Sequence, residues 1–169
     1  LTREFISDLK TAINENDEKN ALILIEDFHA ADIAEIYDEL NIEEARFLYL
    51  LLDNELAADV LAELDEDDRD RFLKVLPSEV IAQKFIDHMD SDDAADIVGD
   101  LDEEKKQEVL LHLDDVDLAG DIVDLLAYNE DSAGGLMGKE LIEVNENWSI
   151  LTCLKELARQ ADDVDEVYY

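Results

Sequence analysis

The sequence predicts a mainly α fold, a superhelical stack of about ten short helices followed by the beginning of an α/β domain. Apolar residues recur at three- and four-residue spacing from Phe5 to Tyr128 almost without interruption. Side chains suited to capping stand before these runs, and one short phrase returns several times within them. After Tyr128 the pattern changes to a glycine-rich turn and then to a strand–helix–strand order.

In chain order, Phe5, Leu9, Ala12 and Ile13 form one helical face, and Ala21, Leu22, Ile25 and Phe28 form the next. Asn41, Asn54, Asp65, Ser91 and Asp102 each precede a helical run, where a side-chain oxygen caps the first free N–H groups. Pro77, the only proline, falls at a helix junction and breaks nothing. Helices of roughly 10 to 13 residues, an ordinary globular length, follow one another through very short turns. Ala30-Ala31-Asp32-Ile33 is repeated as Ala57-Ala58-Asp59-Val60 and Ala94-Ala95-Asp96-Ile97, with a weaker copy at Ala119-Gly120-Asp121-Ile122. Short amphipathic helices that cannot each bury a face alone gain stability by stacking, and small pairs let neighbours approach closely. Residues 1–128 are thus the helical domain and 129–137 a linker, with Asp131 to Gly135 as its turn. Residues 138–169 begin a second domain: strand Leu141–Val144, a helix capped by Ser149 and running to Gln160, and strand Val167–Tyr169.

The charge balance sets the range of function. Lys and Arg number 13 against 48 Asp and Glu, a net charge of −35. Such a surface repels nucleic acid and anionic lipid, attracts metal cations or basic partners, and strains the compact state by self-repulsion. Cys153, the single cysteine, excludes an internal disulfide and any CxxC motif, and its apolar neighbours mark it as a small core residue. Apolar runs such as Phe47 to Leu52 are far too short to cross a bilayer. The chain opens on Leu1, so it is read as a piece of a longer product.

The repeated aspartates stand in unusual company. Asp59 has Glu55 and Glu63 four residues away on either side and no base within a turn. Asp96 has Asp92, Asp93 and Asp100 as its charged neighbours, and Asp121 has Asp117 and Asp124. Like charges at this spacing each cost a helix about 0.2–0.5 kcal/mol. Between them, the helix from Glu66 to Leu76 sets Asp67 before Arg71 and Asp70 before Lys74, an ordinary solvated face. A single acidic stripe is solubilising surface; several without bases point to cation binding. Oxygen-only donors favour a hard ion, Mg²⁺ first and Ca²⁺ or Mn²⁺ as alternatives. An EF-hand at Asp115 fails, because Leu126 stands where the bidentate Glu belongs. His29, His88 and His112 are well separated, no nucleophile motif or phosphate loop occurs, and no catalysis is expected.

Tyr128 to Met137, following Asp92-Asp93-Ala94-Ala95-Asp96, resembles the cytosolic region of MgtE-type magnesium transporters. The resemblance covers the chain and is strongest from residue 90 onward. It implies an N domain over 1–128 and an incomplete CBS domain from 138. It further implies a homodimeric membrane protein, with this region at the cytoplasmic face, whose facing acidic surfaces bind Mg²⁺ and close the pore. Asp59, Asp92 and Asp96 match the family's N-domain metal ligands, with Asp59 in place of a glutamate in some relatives. The implied partners are divalent ions and the protein's own CBS and transmembrane domains, with no nucleic acid. The reading from another class is an acidic helical scaffold that docks a basic protein.

Overall fold

The structure, a computed structural model, describes residues 2–129 and 132–160. The described residues form eleven α-helices: α1 (Arg3–Asn14), α2 (Glu18–Ile25), α3 (Ala30–Ile36), α4 (Ile42–Leu51), α5 (Asn54–Glu63), α6 (Glu66–Leu73), α7 (Ser78–Lys84), α8 (Ser91–Asp100), α9 (Glu103–His112), α10 (Val116–Leu125) and α11 (Ile150–Gln160). Single 3-10 turns at Tyr37–Glu39 and Ile86–His88 extend α3 and α7.

Caps explain most of the boundaries. Asn41 Oδ1 accepts from the amides of Glu43 and Glu44, both at 3.0 Å, while Glu44 returns a bond to the Asn41 amide at 2.9 Å. Asp65 and Asp102 cap α6 and α9 through Asp68 N and Lys105 N, each at 3.0 Å. Two expected caps shift by one residue: Asp53 caps α5 and Asp90 precedes α8, so Asn54 and Ser91 are the first helical residues. A carboxylate stands immediately before each of these residues and takes the flanking position, where negative charge meets the helix dipole favourably.

Several helices pack on the second one along the chain. α3 lies against α5, α5 against α7, α7 against α9, and α8 against α10, while α1 contacts both α2 and α4. The second and third copies of the repeated phrase serve this geometry: Ala57, Ala58 and Ala94 are fully buried and Ala95 nearly so, which turns Asp59 and Asp96 toward the rim, while Ala31 and Gly120 in the other copies are exposed. Through the middle of the stack runs a chain of rings. Tyr49 and Phe72 stand 5.0 Å apart, and Phe72 meets Tyr37 and Phe85 edge-on at 6.3 and 6.0 Å.

Scarce lysines tie the layers together. Lys84 reaches the Leu52 carbonyl that ends α4 and Asn54 Oδ1 at 3.0 Å. Lys105 reaches the Leu73 carbonyl that ends α6 and the Leu76 carbonyl at 3.0 Å. Lys106 holds the Gly99 carbonyl near the end of α8 at 3.0 Å. Each ammonium meets at least one carbonyl at or just beyond a helix C-terminus, where the dipole favours positive charge. Burial lowers the pKa of both Lys84 and Lys105, against the attraction of neighbouring carboxylates.

Beyond Tyr128 the expected turn is present: Ser132 accepts the amides of Gly135 and Leu136 at 3.0 and 3.1 Å. The Gly134 position lies against the Tyr128 ring, so a Cβ there would overlap it. Leu141–Val144 forms no ladder among the described residues. Instead the Gln160 side chain accepts from the Glu143 amide at 2.9 Å and donates to its carbonyl at 3.1 Å. The expected strand Val167–Tyr169 lies outside the described residues. Helix α11 has no buried residue, and Cys153 on it is half-buried instead of core.

Candidate acidic site on helices α5 and α8

The charges of the two acidic helices act together on a residue that spacing alone did not single out. Asp93 in the first turn of α8 has a raised pKa, first through desolvation and then through the charges of Asp92, Asp59 and Glu63. The Arg69 guanidinium partly opposes this. Two of those carboxylates, Asp59 and Glu63, project from α5, so the stripes of α5 and α8 share one electrostatic field. No base lies within a helical turn of Asp59, yet α6 supplies one across the packing: Arg69 pairs with Asp100 at 3.0 Å. The expectation that these stripes stand apart from bases holds along each helix and fails between helices. Sequence spacing cannot show it, because Arg69 lies 31 residues before its partner. On α6 itself Lys74 pairs with Asp70 as expected, but Arg71 takes Asp68 at 2.8 Å instead of Asp67. Asp68 lies within reach three residues earlier on the helix.

The three expected ligands fall at different points of this surface. Asp59 is exposed on α5. Asp92 and Asp96 are half-buried one turn apart on α8. Asp92 lies beside Gly138, with its Oδ1 3.8 Å from where a Cβ on that glycine would stand. Asp96 lines a shallow cavity of about 260 Å³ with Asp100, Lys106, Tyr128 and Gly135. Among the described residues no three His, Cys, Asp or Glu side chains converge closely enough to hold a metal ion between them. The donors are nevertheless all oxygens, the chemistry a hard divalent cation takes.

Residues 28–131 match the family described as the MgtE intracellular N domain, well over half of the 169-residue chain. The chain belongs to this family. The magnesium transporter MgtE of Thermus thermophilus is 30% identical over 162 residues, which is 95% of this chain and 36% of the relative. The crystal structure of the cytosolic domain of the Mg²⁺ channel MgtE in complex with ATP superposes with a TM-score of 0.85 and 29% identity, over 96% of this chain and 66% of that one. The soluble part of a magnesium transporter superposes with a TM-score of 0.79 over 98% of this chain and 64% of that one, and at 24% identity it speaks for the fold alone. The chain therefore spans about a third of the curated relative it matches. No described helix of this MgtE N domain is long and apolar enough to cross a membrane.

Proposed function

We propose that this chain is the Mg²⁺-sensing regulatory segment of a magnesium transporter, placed at the cytoplasmic face of the membrane and without enzymatic activity. The observation behind it is the field at Asp93, where desolvation and then the carboxylates of Asp92, Asp59 and Glu63 raise the cost of charging that one side chain. A divalent ion at that rim removes the cost, so its binding favours the compact arrangement over the open one. Asp59, Asp92 and Asp96 are the side chains offered to the ion. They supply part of a coordination shell, and Mg²⁺ commonly holds several waters beside one or two carboxylates. The rest of the shell is assigned to the CBS region that residues 138–169 begin, within a homodimer whose transmembrane part forms the pore. Ca²⁺ and Mn²⁺ suit the same oxygen donors.

The test is the double variant Asp92→Asn with Asp96→Asn in the protein carried through its following domains. It is expected to blunt the protection that millimolar Mg²⁺ gives against proteolysis, and to raise stability in chelator. A wild-type Mg²⁺ response in the double variant removes these residues as ligands. If a basic peptide protects the acidic helices and Mg²⁺ does not, the surface is a docking face for a basic protein.

A further inference from the structure

Helix α8 begins differently from most of the described helices, and unlike α7, which follows Pro77, it has a carboxylate in the flanking position. Thr2, Asp17, Asn41, Asp53, Asp65, Asp102 and Asp115 each cap their own helix through a side-chain oxygen. Asp90, the residue before α8, does not make that bond. The oxygen comes instead from residue 140. Glu140 Oε1 accepts the Ser91 amide at 2.8 Å, and Glu140 Oε2 accepts the Ser91 hydroxyl at 3.0 Å. Ser91 Oγ in turn accepts the Lys139 amide at 2.9 Å, and Ser91 is fully buried beneath these contacts.

The clasp has two further supports. Lys139 Nζ lies 3.6 Å from Asp124 on α10, so the same dipeptide touches both α8 and the helix packed on it. Gly138 brings the backbone close: a Cβ there would stand 3.3 Å from Glu140 Oε2. Charged acceptors on buried donors make the stronger hydrogen bonds, and a severed one leaves the buried donor unsatisfied.

We propose that Glu140 is a conformational clasp that fixes the segment leaving the linker to the N-terminus of α8, so that this segment and the helix bearing Asp92 and Asp96 move as one. Its basis is three hydrogen bonds between positions 48 and 49 residues apart, independent of any metal. Displacement of the following domain would then be transmitted first to the turn that contains Asp92 and Asp93.

Amide hydrogen exchange in this chain, in the presence of chelator, tests the clasp without reference to Mg²⁺. Glu140→Ala is expected to speed exchange at Ser91 and Lys139 by at least about tenfold, the factor that corresponds to 1.4 kcal/mol. Ser91→Ala should speed exchange at Lys139 to a similar extent, and the double variant should add little to either single change. Glu140→Gln, which keeps one acceptor oxygen, should fall between Glu140→Ala and wild type. Unchanged exchange in Glu140→Ala overturns the proposal. So does equal acceleration at Val60 and Leu61 in α5, which would mean general unfolding instead of a local release.

Discussion

Replacing Asp93 by Asn removes the charge at the point where α5 and α8 repel each other. Its pKa is raised by desolvation first and then by Asp92, Asp59 and Glu63, with Arg69 opposing. Three like-charge neighbours at about 0.2–0.5 kcal/mol each, the scale for exposed helix pairs, give roughly 0.6–1.5 kcal/mol of repulsion. Two losses offset part of the gain. Asp93 lies in the first turn of α8, where a negative charge contributes about 0.3–1 kcal/mol against the dipole, and Arg69 loses one of its attractions. The raised pKa gives the sign of the balance, and because Asp93 is exposed to solvent its size is small. Asp93→Asn is therefore expected to stabilise the chain by about 0.5 kcal/mol at pH 7 in chelator and low salt. A folded-state pKa above the unfolded one means the favourable contribution is complete below the unfolded value and is lost as pH rises through the folded value. The variant's advantage should thus be near zero at about pH 3, grow above about pH 4 and level off near neutrality. Urea unfolding of both proteins at matched pH measures it. A variant less stable than wild type at neutral pH, or an advantage that persists at pH 3, would refute the reasoning.

Further outcomes follow from the same geometry. Lys105→Met strands the Leu76 carbonyl and takes one of two donors from the Leu73 carbonyl, which keeps the Leu76 amide at 3.2 Å, while relieving a desolvated charge; the lost hydrogen bonds should win, lowering stability by about 1 kcal/mol in thermal or urea unfolding. Tyr49→Phe removes a fully buried hydroxyl that has no hydrogen-bond partner among the described residues, so stability should stay level or rise by up to about 1 kcal/mol, with the ring contact to Phe72 kept. Burial also raises the Tyr49 pKa above its ordinary value, so stability should fall as pH climbs past about 10, and Tyr49→Phe should reduce that loss in alkaline unfolding.

The helical stack was legible because period, caps and small-residue phrases all agree on it; Ala57, Ala58, Ala94 and Ala95 are buried as the phrase implied, whereas Ala31 in its first copy and Gly120 in its weakest are exposed. Cap positions slipped by a residue at Asn54 and Ser91, where an adjacent Asp competes for the same role. The partners that matter most at the acidic surface were hidden, since they depend on chain reversals: Arg69 reaches Asp100 from α6, and Glu140 reaches Ser91 from 49 residues away. Asp93 was named only as a neighbour of Asp96, because periodicity on one helix says nothing about which residue faces Asp59 on another. The charge census did find the two helices involved, since an excess of like charge along a helix is visible without the fold.

On the proposed function, specific divalent binding, and not general screening, relieves the repulsion on α5 and α8. Protease resistance and hydrodynamic radius, measured in millimolar Mg²⁺ and in NaCl of matched ionic strength, test it most directly on the protein carried through its following domains. Compaction and protection are expected in Mg²⁺ and not in NaCl. Equal compaction and protection in NaCl would contradict it, reducing the acidic helices to a screened surface.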